Sequence, residues 1–117
     1  VYKFGILNKM IETLSLQALR QILIALHPSG LKVNTHTDGK TRKLHVPFHT
    51  NTDAVFTFGE NRERKYHMEL GKGYIINTLV PHGTENPGNT DRVHLLSRVD
   101  DSFMQSLLSI NCNIADK

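Results

Sequence analysis

The sequence predicts a mainly β protein with a sandwich or barrel architecture. From Leu31 onward, short apolar or alternating runs are separated at close intervals by residues that form turns. Many short strands at this spacing are typical of sandwiches and barrels. A chain of 117 residues normally forms one domain with one modest core, so we expect a single domain over residues 1–117.

A helix is expected before the first strand, over about residues 8–26. The pattern ends where Pro28 and Gly30 cannot continue a helix. Apolar residues recur in this region at helical intervals, as in an amphipathic helix, at Ile11, Leu14, Ala18, Ile22 and Ala25.

The strands themselves are expected between residues 31 and 99, which would form the barrel. Clusters of glycine, asparagine, aspartate and proline separate them and tolerate turn dihedrals. Asp100, Asp101 and Ser102 then offer N-caps for a short C-terminal helix over about residues 101–109. We expect Phe48, Phe56, Phe58 and Ile76 in the core. The expected strands are 31–36, 42–50, 54–58, 65–70, 74–78, 82–85 and 91–99.

Composition argues against several partners. The formal charge of +3 is small and the basic residues are scattered, apart from a cluster at Arg62, Arg64 and Lys65, so no nucleic-acid partner is expected. No run approaches the roughly 18 apolar residues of a membrane span, so no membrane partner is expected.

The single Cys112 forms no intrachain disulfide, which fits a reducing compartment, and the start lacks a signal-peptide pattern. We therefore expect a cytoplasmic protein, with its oligomeric state open.

Three residues have the chemistry of a mononuclear metal site. Residues two apart on a strand point to the same face, so His36 and Asp38 can both face the interior of a barrel. His82 follows a second strand-like segment. Two histidines and one carboxylate on one face of a metal leave the other positions open for further ligands and oxygen, as in non-haem iron oxygenases.

An arginine lies where it can return beside His82. Arg92 follows a turn after His82, so an antiparallel strand would carry it back. A fixed guanidinium grips a carboxylate with two parallel hydrogen bonds. Asn77, His94 and Arg98 are further candidates for contacts in this cavity, although polar strand residues more often bond locally or point to water.

Each of these residues also has an ordinary structural role. Seven histidines and eleven acidic residues in a short chain produce a His-x-Asp pair by chance, and an aspartate at a strand end is often only a turn former. His82 alone could be a loop residue and Arg92 an ion-paired strand residue. The occurrence of all these residues in this order, with turns where a barrel needs them, is more specific evidence for a metal and ligand site than any one of them alone.

Several segments match a known family in the right order. They are His36-Thr37-Asp38, Arg42-Lys43-Leu44-His45, Leu70-Gly71-Lys72-Gly73, Pro81-His82-Gly83-Thr84 and Asp91-Arg92-Val93-His94. Through them the chain resembles the aspartyl/asparaginyl β-hydroxylase-like branch of the iron(II) and 2-oxoglutarate-dependent oxygenases. It is also similar to bacterial proline hydroxylases.

The resemblance implies a double-stranded β-helix, the jelly-roll barrel of cupin-like enzymes. It makes His36, Asp38 and His82 the iron ligands and Arg92 the partner of the distal carboxylate of 2-oxoglutarate. His45 matches a position near this cosubstrate, and Lys43 would share its strand face.

The implied cofactors are Fe(II), 2-oxoglutarate and O2. The implied activity is hydroxylation of an amino acid, a peptide or a related small molecule, with release of succinate and carbon dioxide. Some β-hydroxylases of this group lack a carboxylate at the position of Asp38, so this chain follows the more general oxygenase pattern.

Two alternative functions fit the same residues. The first is a cupin-type metalloenzyme that uses no keto acid, in which Arg92 binds an acidic substrate directly. The second is a ligand-binding barrel without catalysis, in which a structural metal takes a fourth protein ligand. His49 and His67 are the residues that would supply it, although neither has the expected spacing.

Overall fold

The computed structural model of the chain describes residues 2–4, 19–39, 42–101, 104–105 and 113–114. Over these residues the chain forms ten strands in two antiparallel sheets. Their bounds are β1 Tyr2–Phe4, β2 Leu19–His27, β3 Lys32–His36, β4 Arg42–His49, β5 Val55–Phe58, β6 Arg64–Tyr66, β7 Gly73–Asn77, β8 His82–Glu85, β9 Arg92–Val99 and β10 Asn113–Ile114.

The strands pair in a nested order that defines a jelly roll. β2 pairs with β9, β3 with β8, β4 with β7 and β5 with β6, as if one long hairpin were rolled up. One sheet has the order β10-β1-β7-β4-β9-β2 and the other β3-β8-β5-β6. The mainly β, cupin-like architecture expected from the sequence is therefore confirmed.

The core lies between the two sheets. Its cluster of buried side chains is Phe56, Phe58, Met68, Tyr74 and Ile76. The expectation for Phe48 was wrong, because this side chain is 47% exposed. Phe48 lies three positions along β4 from His45, which faces the space between the sheets, so strand alternation places Phe48 on the other face of β4.

The expected helix over residues 8–26 is wrong from Leu19 onward, where the chain forms strand β2. Residues 8–18 lie outside the described residues. β2 pairs with β9 along the edge of the larger sheet, from Leu19 opposite Val99 to His27 opposite Arg92. Pairing with β2 provides hydrogen-bond partners for the backbone groups of β9 on that side. This long-range pairing outweighs the helical spacing of the apolar residues in the local sequence.

The C-terminal helix is described in part. Asp101, Met104 and Gln105 are helical, and the backbone N of Met104 donates to the carbonyl of Asp100 at 3.1 Å. Met104 is buried. The remainder of residues 101–109 lies outside the described part of the chain. Among the helical residues that are described, none forms a segment long and apolar enough to cross a bilayer.

Candidate metal centre and ligand cavity

His36 and His82 meet across the β3–β8 pair. His36 ends β3, His82 begins β8, and the two are register partners. The register shifts between Val33 and His36, so that two residues of β3 lie opposite the single Gly83 of β8. Bulges of this kind redirect side chains beside functional sites. Here the shift leaves the two imidazole rings with centroids 4.6 Å apart.

Asp38 brings a carboxylate to the same point, although β3 has already ended. Its backbone N donates to the carbonyl of Thr78 at 2.9 Å, which ties the segment after β3 to the β7–β8 connection. Its Oδ1 lies 3.4 Å from His36 Nε2 and its Oδ2 3.5 Å from His82 Nε2. Among the described residues, this is the one group of three or more possible metal ligands whose ligand atoms lie within 4.8 Å of one another.

Backbone hydrogen bonds fix which nitrogen of each histidine faces Asp38. His36 Nδ1 donates to the carbonyl of Asn34 at 2.7 Å, and His82 Nδ1 donates to the carbonyl of Val80 at 2.8 Å. Each ring in its neutral form then presents a bare Nε2 to the carboxylate. Such bonds orient the histidine ligands of metal sites.

The donor atoms fit a metal ion. When both rings are in the neutral form, two nitrogen lone pairs and a carboxylate converge, and they repel one another unless a cation lies between them. Adjacent ligands of a metal with bonds of about 2.1 Å stand about 3 Å apart, close to the observed separations of 3.4 and 3.5 Å. His36, Asp38 and His82 could therefore hold a divalent metal on one face.

Lys43 approaches the carboxylate from the neighbouring sheet. Its Nζ donates to Asp38 Oδ2 at 3.1 Å. Partial burial acts to raise the pKa of Asp38, but the hydrogen bond and charge of Lys43, with smaller effects of the two histidines, hold this pKa below its usual value. The carboxylate is thus kept in the ionised form that binds metals.

The metal ligands open onto a cavity of about 180 Å³ between the two sheets. Both candidate cosubstrate residues on β4, Lys43 and His45, line it, as their shared strand face predicted. Arg92 reaches it from β9. The remaining lining comes from His27, Val33, Phe56, Ile76, Gly83, Thr84 and Leu96.

Arg92 is a buried cation in this cavity. It is 3% exposed, and its guanidinium lies 5.6 Å from the centre of the Phe56 ring. No ion pair joins it to a carboxylate within the described part of the chain, and its Nε has no hydrogen-bond partner there. Burial lowers its pKa to about 10. The protein therefore carries a desolvated positive charge beside a candidate metal site.

His45, which lines the cavity, contacts a second histidine, His94, which does not line it. His45 and His94 are both buried, and their Nδ1 atoms are 3.2 Å apart. Burial, together with the charges of His94, Arg92 and Lys43, lowers the pKa of His45 well below its usual value. Burial and the charge of Arg92 lower the pKa of His94 to about 2. Both rings are neutral at neutral pH.

The structure brings together the six residues predicted from sequence, but it also adds two. His27 lines the cavity from β2, opposite Arg92, and its Nδ1 lies 3.2 Å from Thr84 Oγ1. The helical interpretation of residues 8–26 hid His27, while Thr84 shares a strand face with His82 and could have been found by that alternation.

The two histidines considered as a fourth ligand lie elsewhere. His49 Nδ1 donates to the carbonyl of Asp91 at 2.7 Å, and His67 Nδ1 donates to the carbonyl of Ala54 at 3.0 Å. Neither joins the metal group among the described residues. Of the candidates for cavity contacts, Asn77 and Arg98 are exposed.

Solved structures with a similar fold include three bacterial proteins. TT1209 from Thermus thermophilus has a TM-score of 0.54 at 14% identity, over 73% of this chain and 86% of that chain. A predicted oxalate decarboxylase from Thermotoga maritima has a TM-score of 0.56 at 18% identity, over 83% and 77%. An uncharacterised protein with a double-stranded β-helix domain from Klebsiella pneumoniae has a TM-score of 0.56 at 14% identity, over 82% and 74%.

At these identities the similarity shows the fold, a double-stranded β-helix of the cupin type. The comparison with curated proteins returns no match. The family model for aspartyl/asparaginyl β-hydroxylase matches residues 2–101, which is most of the chain. Fold and family together support a cupin-type metalloenzyme. The chain belongs to the aspartyl/asparaginyl β-hydroxylase family.

Proposed function

We propose that this protein is an iron(II)- and 2-oxoglutarate-dependent dioxygenase that hydroxylates an amino acid, a peptide or a related small molecule. The observation that carries the proposal is the buried Arg92, which shares one cavity with the group of His36, Asp38 and His82. A buried cation without a protein carboxylate costs stability, which is justified where it binds an anion.

The donor set supports iron as the metal. Two imidazole nitrogens and one carboxylate are the ligands of non-haem iron(II) oxygenases, and they leave open positions on the metal. A structural site would fill those positions with protein ligands, and neither His49 nor His67 lies there. Fe(II) when bound would activate O2, while 2-oxoglutarate would be oxidised to succinate and carbon dioxide as substrate C–H becomes C–OH.

The charges of the cavity support a small dianion as cosubstrate. Arg92 would hold the distal carboxylate of 2-oxoglutarate through two parallel hydrogen bonds. Lys43 and His45, which line the same cavity from the neighbouring strand β4, would contact the end of the molecule nearer to the metal. Lys43 already donates to Asp38, so its ammonium group lies beside the metal ligands.

The size of the cavity also fits one small ligand. Pockets that enclose drug-sized molecules measure about 300–1,000 Å³, whereas this cavity measures about 180 Å³. The cosubstrate would fill most of it, and the substrate would approach from the open side near His36, which is exposed. Phe56, Ile76 and Leu96 would exclude water from the bound cosubstrate.

The test is an anaerobic titration of the metal-free protein with Fe(II) and 2-oxoglutarate, followed by visible absorption. We expect a charge-transfer band that requires both components. The band should be lost in His82→Ala and retained in His49→Ala, a histidine variant outside the cavity. Turnover is then measured as succinate formed from 2-oxoglutarate in the presence of O2.

The outcomes separate this proposal from its alternatives. A folded, iron-loaded protein that shows no band at saturating 2-oxoglutarate contradicts the cosubstrate assignment. In that case Arg92 would bind an acidic substrate directly, as in a cupin-type enzyme without a keto acid. A band that persists in His82→Ala contradicts the ligand assignment.

A further inference from the structure

His45 and His94 share a single hydrogen bond at the back of the cavity. Their Nδ1 atoms are 3.2 Å apart, their ring centroids are 5.5 Å apart, and the rings are nearly perpendicular at 80°. Two neutral imidazoles can make this contact only if one Nδ1 carries the proton and the other accepts it. The pair therefore has two possible arrangements, which differ in whether His45 Nε2 carries a proton or a bare lone pair.

The surroundings of His94 decide between them. Its Nε2 is fully buried and has no hydrogen-bond partner within the described residues. His94 and Arg92 line the same small gap between the sheets, and the charge of Arg92 acts on His94. An unpaired N–H in that place would bring a partial positive charge toward a guanidinium, whereas a bare lone pair is attracted to it. An unpaired buried N–H is also the rarer defect in folded proteins.

We propose that His94 is a positioning residue, which donates from Nδ1 to His45 Nδ1 and thereby holds His45 in the tautomer protonated at Nε2. His45 lines the cavity, and with its Nδ1 engaged by His94 its remaining N–H belongs to the opposite edge of the ring. The edge-to-face contact with Phe56, with centroids 4.8 Å apart at 80°, limits rotation of the ring.

This arrangement gives the cavity a neutral donor between two cations. An N–H of His45 would complement Lys43 and Arg92 in binding a dianion, whereas a bare nitrogen there would repel a carboxylate. This consequence rests on the proposed function, because it requires 2-oxoglutarate or a similar dianion in the cavity. The tautomer assignment itself does not depend on any ligand.

The tautomers can be read directly by nitrogen NMR. Long-range ¹H–¹⁵N correlation spectra of uniformly labelled wild-type protein at pH 7.5 distinguish protonated from bare ring nitrogens. His45→Asn and His94→Asn assign the two rings by loss of their signals. We expect His94 as the Nδ1–H form, which is the minor form of free neutral histidine, and His45 as the Nε2–H form. The reverse pair, with a bare Nδ1 on His94, overturns the proposal.

Two variants of His94 test the consequence for binding. His94→Asn places an amide N–H near the position of Nδ1, whereas His94→Leu has no donor there. We expect His94→Leu to weaken 2-oxoglutarate binding to the metal-loaded protein roughly tenfold and His94→Asn to restore most of it. Metal affinity, measured without 2-oxoglutarate, should be unchanged in both variants.

These measurements test the tautomers of His45 and His94 separately from the effect of His94 on 2-oxoglutarate binding. Equal loss of 2-oxoglutarate affinity in His94→Leu and His94→Asn, with both folded, overturns the positioning role. A wild-type protein that shows the expected tautomers but binds no 2-oxoglutarate contradicts the proposed function and supports the tautomer assignment. The wild-type spectrum decides the assignment even where His94→Leu does not fold.

Discussion

His36 lies directly opposite His82 because one residue of β8, Gly83, faces two residues of β3. A Cβ atom at position 83 would lie 2.8 Å from the carbonyl oxygen of Val33 and 3.2 Å from Arg62 Nη1 and Thr57 Oγ1. Arg62 is itself fixed there, since its Nη2 donates to the same Val33 carbonyl at 2.6 Å. The close approach of the two strands that sets the histidine pair therefore depends on a residue without a side chain.

We expect Gly83→Ala to damage the metal site through the backbone. The methyl group would push β3 away from β8, so His36 would move relative to His82. Overpacking of this kind costs about 1–3 kcal/mol of stability, and disturbance of groups that support metal ligands lowers affinity roughly 10–100-fold. Calorimetric titration with Fe(II) or Co(II) and thermal unfolding measure the two effects.

Gly39→Ala is the matched control for this prediction. Gly39 lies next to Asp38, yet a Cβ there meets no heavy atom within 4 Å among the described residues. Its metal affinity should stay within about twofold of wild type. A Gly83→Ala variant that binds metal as tightly as Gly39→Ala would show that the strand spacing does not control the site.

The residues of the site could be predicted from the sequence because strand alternation and turn formation are properties of short local segments. The seven strands expected between residues 31 and 99 correspond to β3–β9, and Lys43 and His45 do share a cavity-facing side. Alternation placed His36 and Asp38 on one strand face, whereas β3 ends at His36 and a backbone bond to Thr78 positions Asp38. The position of Asp38 beside His36 thus depends on a tertiary contact, although local alternation had also predicted that the two side chains would lie together.

What escaped sequence analysis depended on pairing between distant segments. The apolar run that includes Ile22 and Leu26 satisfies helical spacing, but the need of β9 for a partner makes it strand β2, with both side chains more than half exposed. His27 consequently reaches the cavity. The contact between His45 and His94 joins residues 49 positions apart, and no local pattern indicates it.

Arg92→Gln should weaken 2-oxoglutarate binding without lowering the stability of the fold. The substitution removes a buried charge that lacks a carboxylate partner in the described structure, so we expect a melting temperature equal to or above that of wild type. The same change removes the two parallel hydrogen bonds proposed for the distal carboxylate, which should weaken 2-oxoglutarate binding roughly 100-fold.

Arg92→Lys should be intermediate, since it keeps the charge but not the planar pair of donors. Differential scanning calorimetry and anaerobic 2-oxoglutarate titration of the three proteins provide the measurements. Loss of more than about 2 kcal/mol of stability in Arg92→Gln would indicate that the guanidinium holds the fold together rather than serving a ligand.

Lys43→Met should change metal and cosubstrate binding in opposite directions. Lys43 Nζ lies 3.1 Å from Asp38 Oδ2, so in the metal-free protein it competes with a metal for that oxygen. An ion pair between side chains that are 34% and 31% exposed contributes about 0.2–1 kcal/mol, and its removal should raise metal affinity up to about fivefold. Affinity for 2-oxoglutarate should fall, because a cation beside the proposed dianion is lost.

Both quantities can be obtained from one protein preparation by metal titration with and without 2-oxoglutarate. Lys32→Met is a suitable control, because Lys32 pairs only distantly with Glu85 at 4.0 Å and does not line the cavity. A parallel fall of both affinities in Lys43→Met would mean that the ammonium group supports the metal ligands instead of competing with the metal.

Stability should fall as the pH drops below the ordinary pKa of histidine. Burial is the main cause that lowers the pKa of His27 to about 4, that of His94 to about 2, and that of His45 well below 6.5. Below about pH 6.5 the unfolded chain binds protons at these three positions that the folded protein does not bind. Linkage then requires the free energy of unfolding to decrease with decreasing pH, by up to about 1.4 kcal/mol per pH unit for each group.

Urea denaturation of the metal-free protein between pH 7.5 and 5 measures this slope. His94→Asn removes one of the three groups, so its slope should be smaller by about 1.4 kcal/mol per pH unit at the acid end of the range. The comparison is made within each protein, so a uniform loss of stability in the variant does not affect it. A wild-type stability that is flat between pH 6.5 and 5 would mean that these histidines take up protons without unfolding, and hence that water reaches them in the folded protein.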